Sequence, residues 1–258
     1  MITDNIGDIT FIPKRIVSVV PSQTELLFDL GLENEILGIT KFCIHPKEIC
    51  QTKAIVGGTK NLNLEKIISL QPDLIIANKE ENVKEQIELL AEKFPVWLTD
   101  VNNYNDALQM IADLGKITHS SEKANSISQS IQEQLSAPIF NDKKKAIYLI
   151  WKSPFMTIGG DTFIDSMMQK AGFENTFHHL TRYPEIELET IANSDCEFVL
   201  LSSEPYPFAQ KHVDEMQAVL PNKKIIIVDG EMFSWYGSRM LKSAAYFKEL
   251  STTLLNSD

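Results

Sequence analysis

Short runs of branched apolar residues recur along the chain, separated by segments whose apolar positions fall every three or four residues. Residues 15–20, 74–77 and 96–99 are short, branched and bounded by Pro, Asp or Lys, the pattern of strands buried on both faces. The same syntax returns at 146–151, 198–202 and 225–228. Helical spacing over 24–30 ends in Gly31-Leu32-Glu33-Asn34, and that over 163–171 ends in Gly172-Phe173-Glu174-Asn175, with glycine where a helix C-terminus favours it. Residues 64–76 align without a gap on 188–200, which pairs Glu65 with Glu189 and, further on, Glu80 with Glu204.

A helix that leads into a buried strand at the same spacing twice predicts a duplicated α/β lobe, the period being too long for a solenoid. Between the two copies, 105–137 is polar and carries Leu108, Ile111, Ala112, Ile127, Ile131 and Leu135 at helical spacing. Gly115 is expected to divide it into two helices. The second, over 120–137, would be a stiff connection about 25 Å long. The expectation is therefore an α/β protein of two Rossmann-like lobes with parallel-rich sheets, joined by a single long backbone helix, with a ligand cleft between the lobes. Its divisions are 1–104, a helical connection over 105–140, and 141–258.

Composition agrees and narrows the function. At 258 residues, 43% of them hydrophobic, the chain has enough apolar material for two small lobes. Lys and Arg total 24 against 35 Asp and Glu, a net charge of −11, which disfavours a grip on nucleic acid phosphates and suits a basic or weakly polar partner surface. No apolar run approaches the ~20 residues of a bilayer-spanning helix. The first 13 residues contain Asp4 and Asp8 and lack the pattern of a secretory signal, so the expectation is periplasmic or otherwise extracytoplasmic if a signal is missing from this sequence, and cytoplasmic if not. Cys43, Cys50 and Cys196 show no zinc spacing. Free buried thiols are favoured, although a Cys43–Cys50 bridge is sterically possible.

The segment Arg15-Ile16-Val17-Ser18-Val19-Val20-Pro21-Ser22-Gln23-Thr24-Glu25 resembles the opening of the helical-backbone substrate-binding proteins of ABC importers for cobalamin, ferric siderophores and haem. Gly57-Gly58-Thr59 before Leu64-Glu65, Gly159-Gly160-Asp161-Thr162-Phe163, and Asp229-Gly230-Glu231-Met232-Phe233-Ser234-Trp235-Tyr236-Gly237-Ser238-Arg239 extend the resemblance, which is nearest to the cobalamin branch. It implies a protein that captures a cobalamin-like corrinoid or a ferric chelate, siderophore or haem, and delivers it to ABC permease subunits. It implies a monomer with no catalysis, no cofactor and no resident metal.

Carried over by position, Phe42 matches a ring packed against the corrinoid, a role that suits an aromatic face, and the core is its alternative. His45, three residues on, can ligate an open cobalt or iron position, but no second ligand stands at metal-site spacing. The second wall is expected from Met232, Phe233, Trp235 and Tyr236, with Trp151 as a further candidate and Trp97 in the core. Arg239 would meet a polar group of the ligand or pair with a surface acid. Glu65 and Glu189 match the family's permease-docking glutamates, and each also suits the N-terminal end of its helix. Glu80, Glu204 and Tyr206, the last in Glu204-Pro205-Tyr206-Pro207-Phe208, are placed at the cleft rim. Thr59 stands where the cobalamin branch can carry Trp.

The alternative is a cytoplasmic bilobal tetrapyrrole- or metal-handling enzyme such as a chelatase. It lacks support from any Gly-x-Gly-x-x-Gly, Walker or Ser-His-Asp pattern, and the adjacent His178-His179 reads as solvated.

Overall fold

The computed structural model describes residues 1–136, 139–140 and 142–255, and the chain divides into two compact units. The first is Met1–Val101, Asn105–Ile131 and Tyr236–Arg239; the second is Asn102–Tyr104, Gln132–Trp235 and Met240–Asp258.

In the first unit six strands form one parallel sheet in the order Ile2–Thr3, Val96–Thr99, Leu74–Asn78, Ile16–Ser18, Ile36–Ile39, Ala54–Ile55. The central strands are wholly buried because helices cover a parallel sheet, which explains their unbroken apolar runs. Val17, Ile67, Ile75, Ile87 and Val96 lie in its core. In the second unit four parallel strands run in the order Phe173–Asn175, Lys144–Leu149, Phe198–Ser202, Lys224–Val228. Ile147, Leu149, Ile191, Val199 and Leu201 occupy the corresponding core.

The duplication is legible in the pairing itself. Ile36–Ile39, Ile16–Ser18, Leu74–Asn78 and Val96–Thr99 are neighbours in the same order as their four counterparts in the second unit. Ile16 pairs with Leu74, and Ala146 with Phe198, the residue that aligns with Leu74. The helix Pro21–Asp29 ends with Gly31 at φ 89°, where Leu32 N–H donates to the Leu27 carbonyl and Gly31 N–H to the Phe28 carbonyl. These are the two bonds of a left-handed helix terminus, a conformation glycine adopts without steric cost. Gly172, at φ 84°, closes Phe163–Lys170 with a donation to the Gln169 carbonyl.

Gly115 does not divide the connection. It lies inside the helix Tyr104–Ile117, and the break falls at Thr118–Ser120, where His119 takes φ 55°. Its role is close packing, since a β-carbon there would collide with that of Ala124 on the following helix, Ser121–Gln134. That second helix begins in the first unit and its last residues belong to the second; the expected end at Ala137 lies outside the described residues. Cys43, Cys50 and Cys196 are free and buried. Burial raises the Cys43 thiol pKa and pushes that of Cys50 up to about 11. No helix among the described residues is long and apolar enough to cross a membrane.

Candidate functional site

In a parallel sheet every strand ends on the same edge, and loops leaving that edge are where open α/β sheets place ligands. In the first unit those ends are Ser18, Ile39, Asn78 and Thr99. Beneath them is a buried polar network. Gln23 Nε2 donates to Thr99 Oγ1 at 2.6 Å, and Asn78 Nδ2 to the same oxygen at 3.1 Å. Thr24 Oγ1 donates to Ser18 Oγ at 2.7 Å, and Cys43 Sγ to Thr24 Oγ1 at 3.2 Å. Asn82 Nδ2 reaches the carbonyls of Val19 and Thr59 and holds the loop after Asn78 in place. Such paired polar groups rigidify the platform beneath the loops.

On that platform Phe42 is 49% exposed, three residues past Ile39, and Lys41 Nζ stands 5.0 Å from its ring centroid. His45 is half-buried, and its carbonyl accepts from Cys50 Sγ at 3.4 Å. Glu80 is half-buried, with its N–H donating to Asn78 Oδ1 at 2.9 Å.

Residues 236–239, read from the sequence as part of a ligand wall, are buried in the first unit. Arg239 Nε donates to Glu25 Oε2 at 2.8 Å, and both side chains are about 95% buried, at 4% and 5% exposure. Arg239 is thus corrected. The acid it pairs with is not on the surface but is a buried carboxylate of the helix Pro21–Asp29. The Tyr236 hydroxyl donates to Glu81 Oε1 at 3.2 Å; burial first, and then the Glu81 charge, raise its pKa well above the ordinary phenol value. Glu81, not the neighbouring Glu80 singled out by the repeat, makes this contact.

In the second unit the strand ends are Leu149, Asn175, Ser202 and Val228. Trp151, two residues past Leu149, is 40% exposed and meets the half-buried Tyr206 ring edge-on at 5.5 Å between centroids. Tyr206 in turn lies 4.7 Å from Phe208 and 5.5 Å from His212, an aromatic ledge stiffened by ring-on-ring packing.

Phe233 does not belong to a ligand wall. It is fully buried on the short helix Glu231–Ser234, with ring centroids 4.8 Å from Phe247 and 5.2 Å from Tyr148. A four-residue helix turns alternate side chains in opposite directions, so an unbroken apolar stretch need not share a face. Met232 is also buried, and Trp235 is 8% exposed.

Trp235 Nε1 and Ser234 Oγ both donate to Glu204 Oε1, at 2.9 and 2.8 Å. Glu204 therefore anchors Trp235. Burial raises its carboxyl pKa, and the charges of Glu231 and Asp229 add to the rise against the opposing effect of the two donors.

Glu65 and Glu189 are exposed and occupy the second position of the helices Leu64–Leu70 and Leu188–Asn193, so the structure puts them at equivalent places in the two units. His178, read as solvated, is held by the buried Asp165, with Nδ1 3.0 Å from Oδ2. Among the described residues no three His, Cys, Asp or Glu side chains group as a metal-holding cluster.

A family model described as periplasmic binding protein matches residues 16–221. A Bacillus subtilis (strain 168) protein described as the uncharacterized ABC transporter substrate-binding lipoprotein YvrC is 24% identical over 253 residues, 92% of this chain and 79% of that one. The vitamin B12-binding protein of Vibrio parahaemolyticus serotype O3:K6 is 25% identical over 195 residues, 73% of this chain and 70% of that one. Among solved structures, a possible iron-binding (periplasmic solute-binding) protein from Staphylococcus epidermidis ATCC 12228 matches with a TM-score of 0.78 at 22% identity, over 95% of this chain and 99% of that one.

Proposed function

The chain belongs to the periplasmic binding protein family, and we propose that, as the substrate-binding component of an ABC importer, it captures a cobalamin-like corrinoid or a ferric chelate and hands it to a membrane permease. The carrying observation is the pair of exposed rings, Phe42 and Trp151, each on a loop leaving the C-terminal edge of a parallel sheet. Aromatic side chains bury large area against a flat chelate and lose little rotamer freedom in doing so. The relatives named for vitamin B12 binding and for possible iron binding support this ligand class.

Glu65 and Glu189 support the second half of the reading. One exposed carboxylate at the same place in each duplicated unit suits a partner built from two similar subunits with basic docking groups, and such charges chiefly set orientation and encounter rate. The reading involves no covalent chemistry and places the protein outside the cytoplasm, in keeping with relatives described as periplasmic and as a lipoprotein.

Spectral titration of the purified chain with cyanocobalamin, haem and ferric siderophores tests it. At least one is expected to bind at micromolar concentration or tighter, with Phe42→Ala or Trp151→Ala weakening binding by about tenfold. No binding of any of them would overturn the reading.

A further inference from the structure

The duplicated units differ at one sheet edge. In the first, the strand Val96–Thr99 pairs with Leu74–Asn78 on one side and with Ile2–Thr3 on the other, and Val96 N–H donates to the Met1 carbonyl at 2.9 Å. Its counterpart in the second unit is Lys224–Val228. Ile75 pairs with Val96, and Val199, which aligns with Ile75, pairs with Ile225. Among the described residues no strand lies beyond Lys224–Val228.

Backbone groups alternate between the two sides of a strand. Lys224 N–H donates to the Glu197 carbonyl and Ser203 N–H to the Val228 carbonyl, both at 2.9 Å, so Lys224, Ile226 and Val228 face the inner neighbour. Ile225 and Ile227 turn their N–H and C=O groups outward, as Val96 does in the first unit, and meet no backbone partner there among the described residues. Such a row is a template for another strand, which proteins commonly guard with a proline or an outward charge. This strand has no proline, and its one charged side chain, Lys224, lies over the Phe198 ring of the inner neighbour at 5.7 Å. Ile227 is 37% exposed.

Charge selects the occupant. Lys223 and Lys224 stand at one end of the segment and Asp229 at the other. A second copy running the same way would set lysine beside lysine. Running the opposite way, about a two-fold axis at Ile226, it pairs Ile225 with Ile227 so that both exchange their outward hydrogen bonds, and it sets Lys223 opposite Asp229. The two-fold axis closes the assembly at two chains. We propose that two copies of this chain associate through antiparallel pairing of Lys224–Val228, in place of the monomer that the family resemblance implies. The partner then does for Ile225 what Met1 does for Val96.

Sedimentation of the full chain from about 1 to 300 μM tests the assembly. A species of twice the 29.2 kDa chain mass should populate in the upper part of that range. Ile227→Lys alters an exposed position, so it should keep the wild-type melting temperature and weaken dimerisation about tenfold or more. Disulfides read the register. Ile226 meets its own copy across the axis with Cα atoms about 4.5 Å apart, so Ile226→Cys should crosslink under mild oxidation. Ile227→Cys leaves the two positions about 8 Å apart and should crosslink no more than wild type, whose three cysteines are buried. A monomer throughout the range, a dimer that a folded Ile227→Lys leaves intact, or crosslinking through Ile227→Cys in place of Ile226→Cys overturns the proposal. Growth beyond two chains also overturns it, since that marks a head-to-tail contact such as capture of another copy's Ile2–Thr3.

Discussion

The Glu25–Arg239 pair ties residues 214 positions apart in the sequence, and its energetics follow from burial. With both side chains about 95% buried, removing one leaves a charge that water cannot reach. Breaking a buried pair in this way costs ~3–5 kcal/mol. For 258 residues melting in one transition at ~2.1 cal/mol/K per residue, the unfolding entropy is about 0.54 kcal/mol/K, so Arg239→Met should lower Tm by about 6 to 9 °C. Glu25→Leu should do the same. The double variant Glu25→Leu with Arg239→Met should lie closer to wild type than either single change, because replacing both charges by apolar groups removes the unpaired-ion penalty. Calorimetry and urea titration of the four proteins complete the cycle. Single-variant losses below about 1 kcal/mol, or strictly additive effects, would refute the idea that these charges are desolvated and mutually dependent.

Three further outcomes are expected. Phe233→Ala should destabilise by ~3–5 kcal/mol, since a fully buried aromatic leaves a cavity among Tyr148 and Phe247, while Trp151→Ala should leave Tm nearly unmoved; thermal melts of the two decide which ring is core. Burial lifts the Glu204 carboxyl above its ordinary 4.5 in the folded chain, so its contribution to stability is full below 4.5 and declines as pH rises through the raised value. Glu204→Gln keeps an acceptor for Trp235 and Ser234 and should flatten the decline of stability from pH 4.5 upward, as followed by urea titration across pH; an unchanged slope contradicts the assignment. Glu65→Ala combined with Glu189→Ala should preserve ligand affinity while reducing permease association in a pull-down, and equal loss of both would point to misfolding.

Much of the architecture is legible because its signals are local. Branched runs at 74–77 and 198–202 reappear as buried strands, Gly31 and Gly172 sit in left-handed helix termini, and the gap-free match of 64–76 with 188–200 becomes a shared strand order. The site was less legible because its decisive contacts join distant residues. Nothing local marks the buried Glu25 or the half-buried Glu81 as the partners of Arg239 and Tyr236. The 232–236 run is apolar enough for a ligand wall, and only the turn of a short helix reveals that Phe233 faces the core. His178 is exposed, as its reading as solvated expected, but its contact with Asp165, 13 positions away on another element, has no local mark. Gly115 has the composition of a breaker, but the neighbour that demands its small size, Ala124, lies on the next helix.

The allocation of 236–239 to the first unit has a consequence for the nascent chain. A ribosome that has made Ile131 has supplied nearly all of that unit, but the guanidinium for Glu25 is still 108 residues away. At ~5–20 residues per second that interval is roughly 5 to 20 s. Throughout it, the Arg239 guanidinium cannot pair with Glu25, which keeps the unit short of its finished packing. Completion of the first unit thus waits on translation through Arg239.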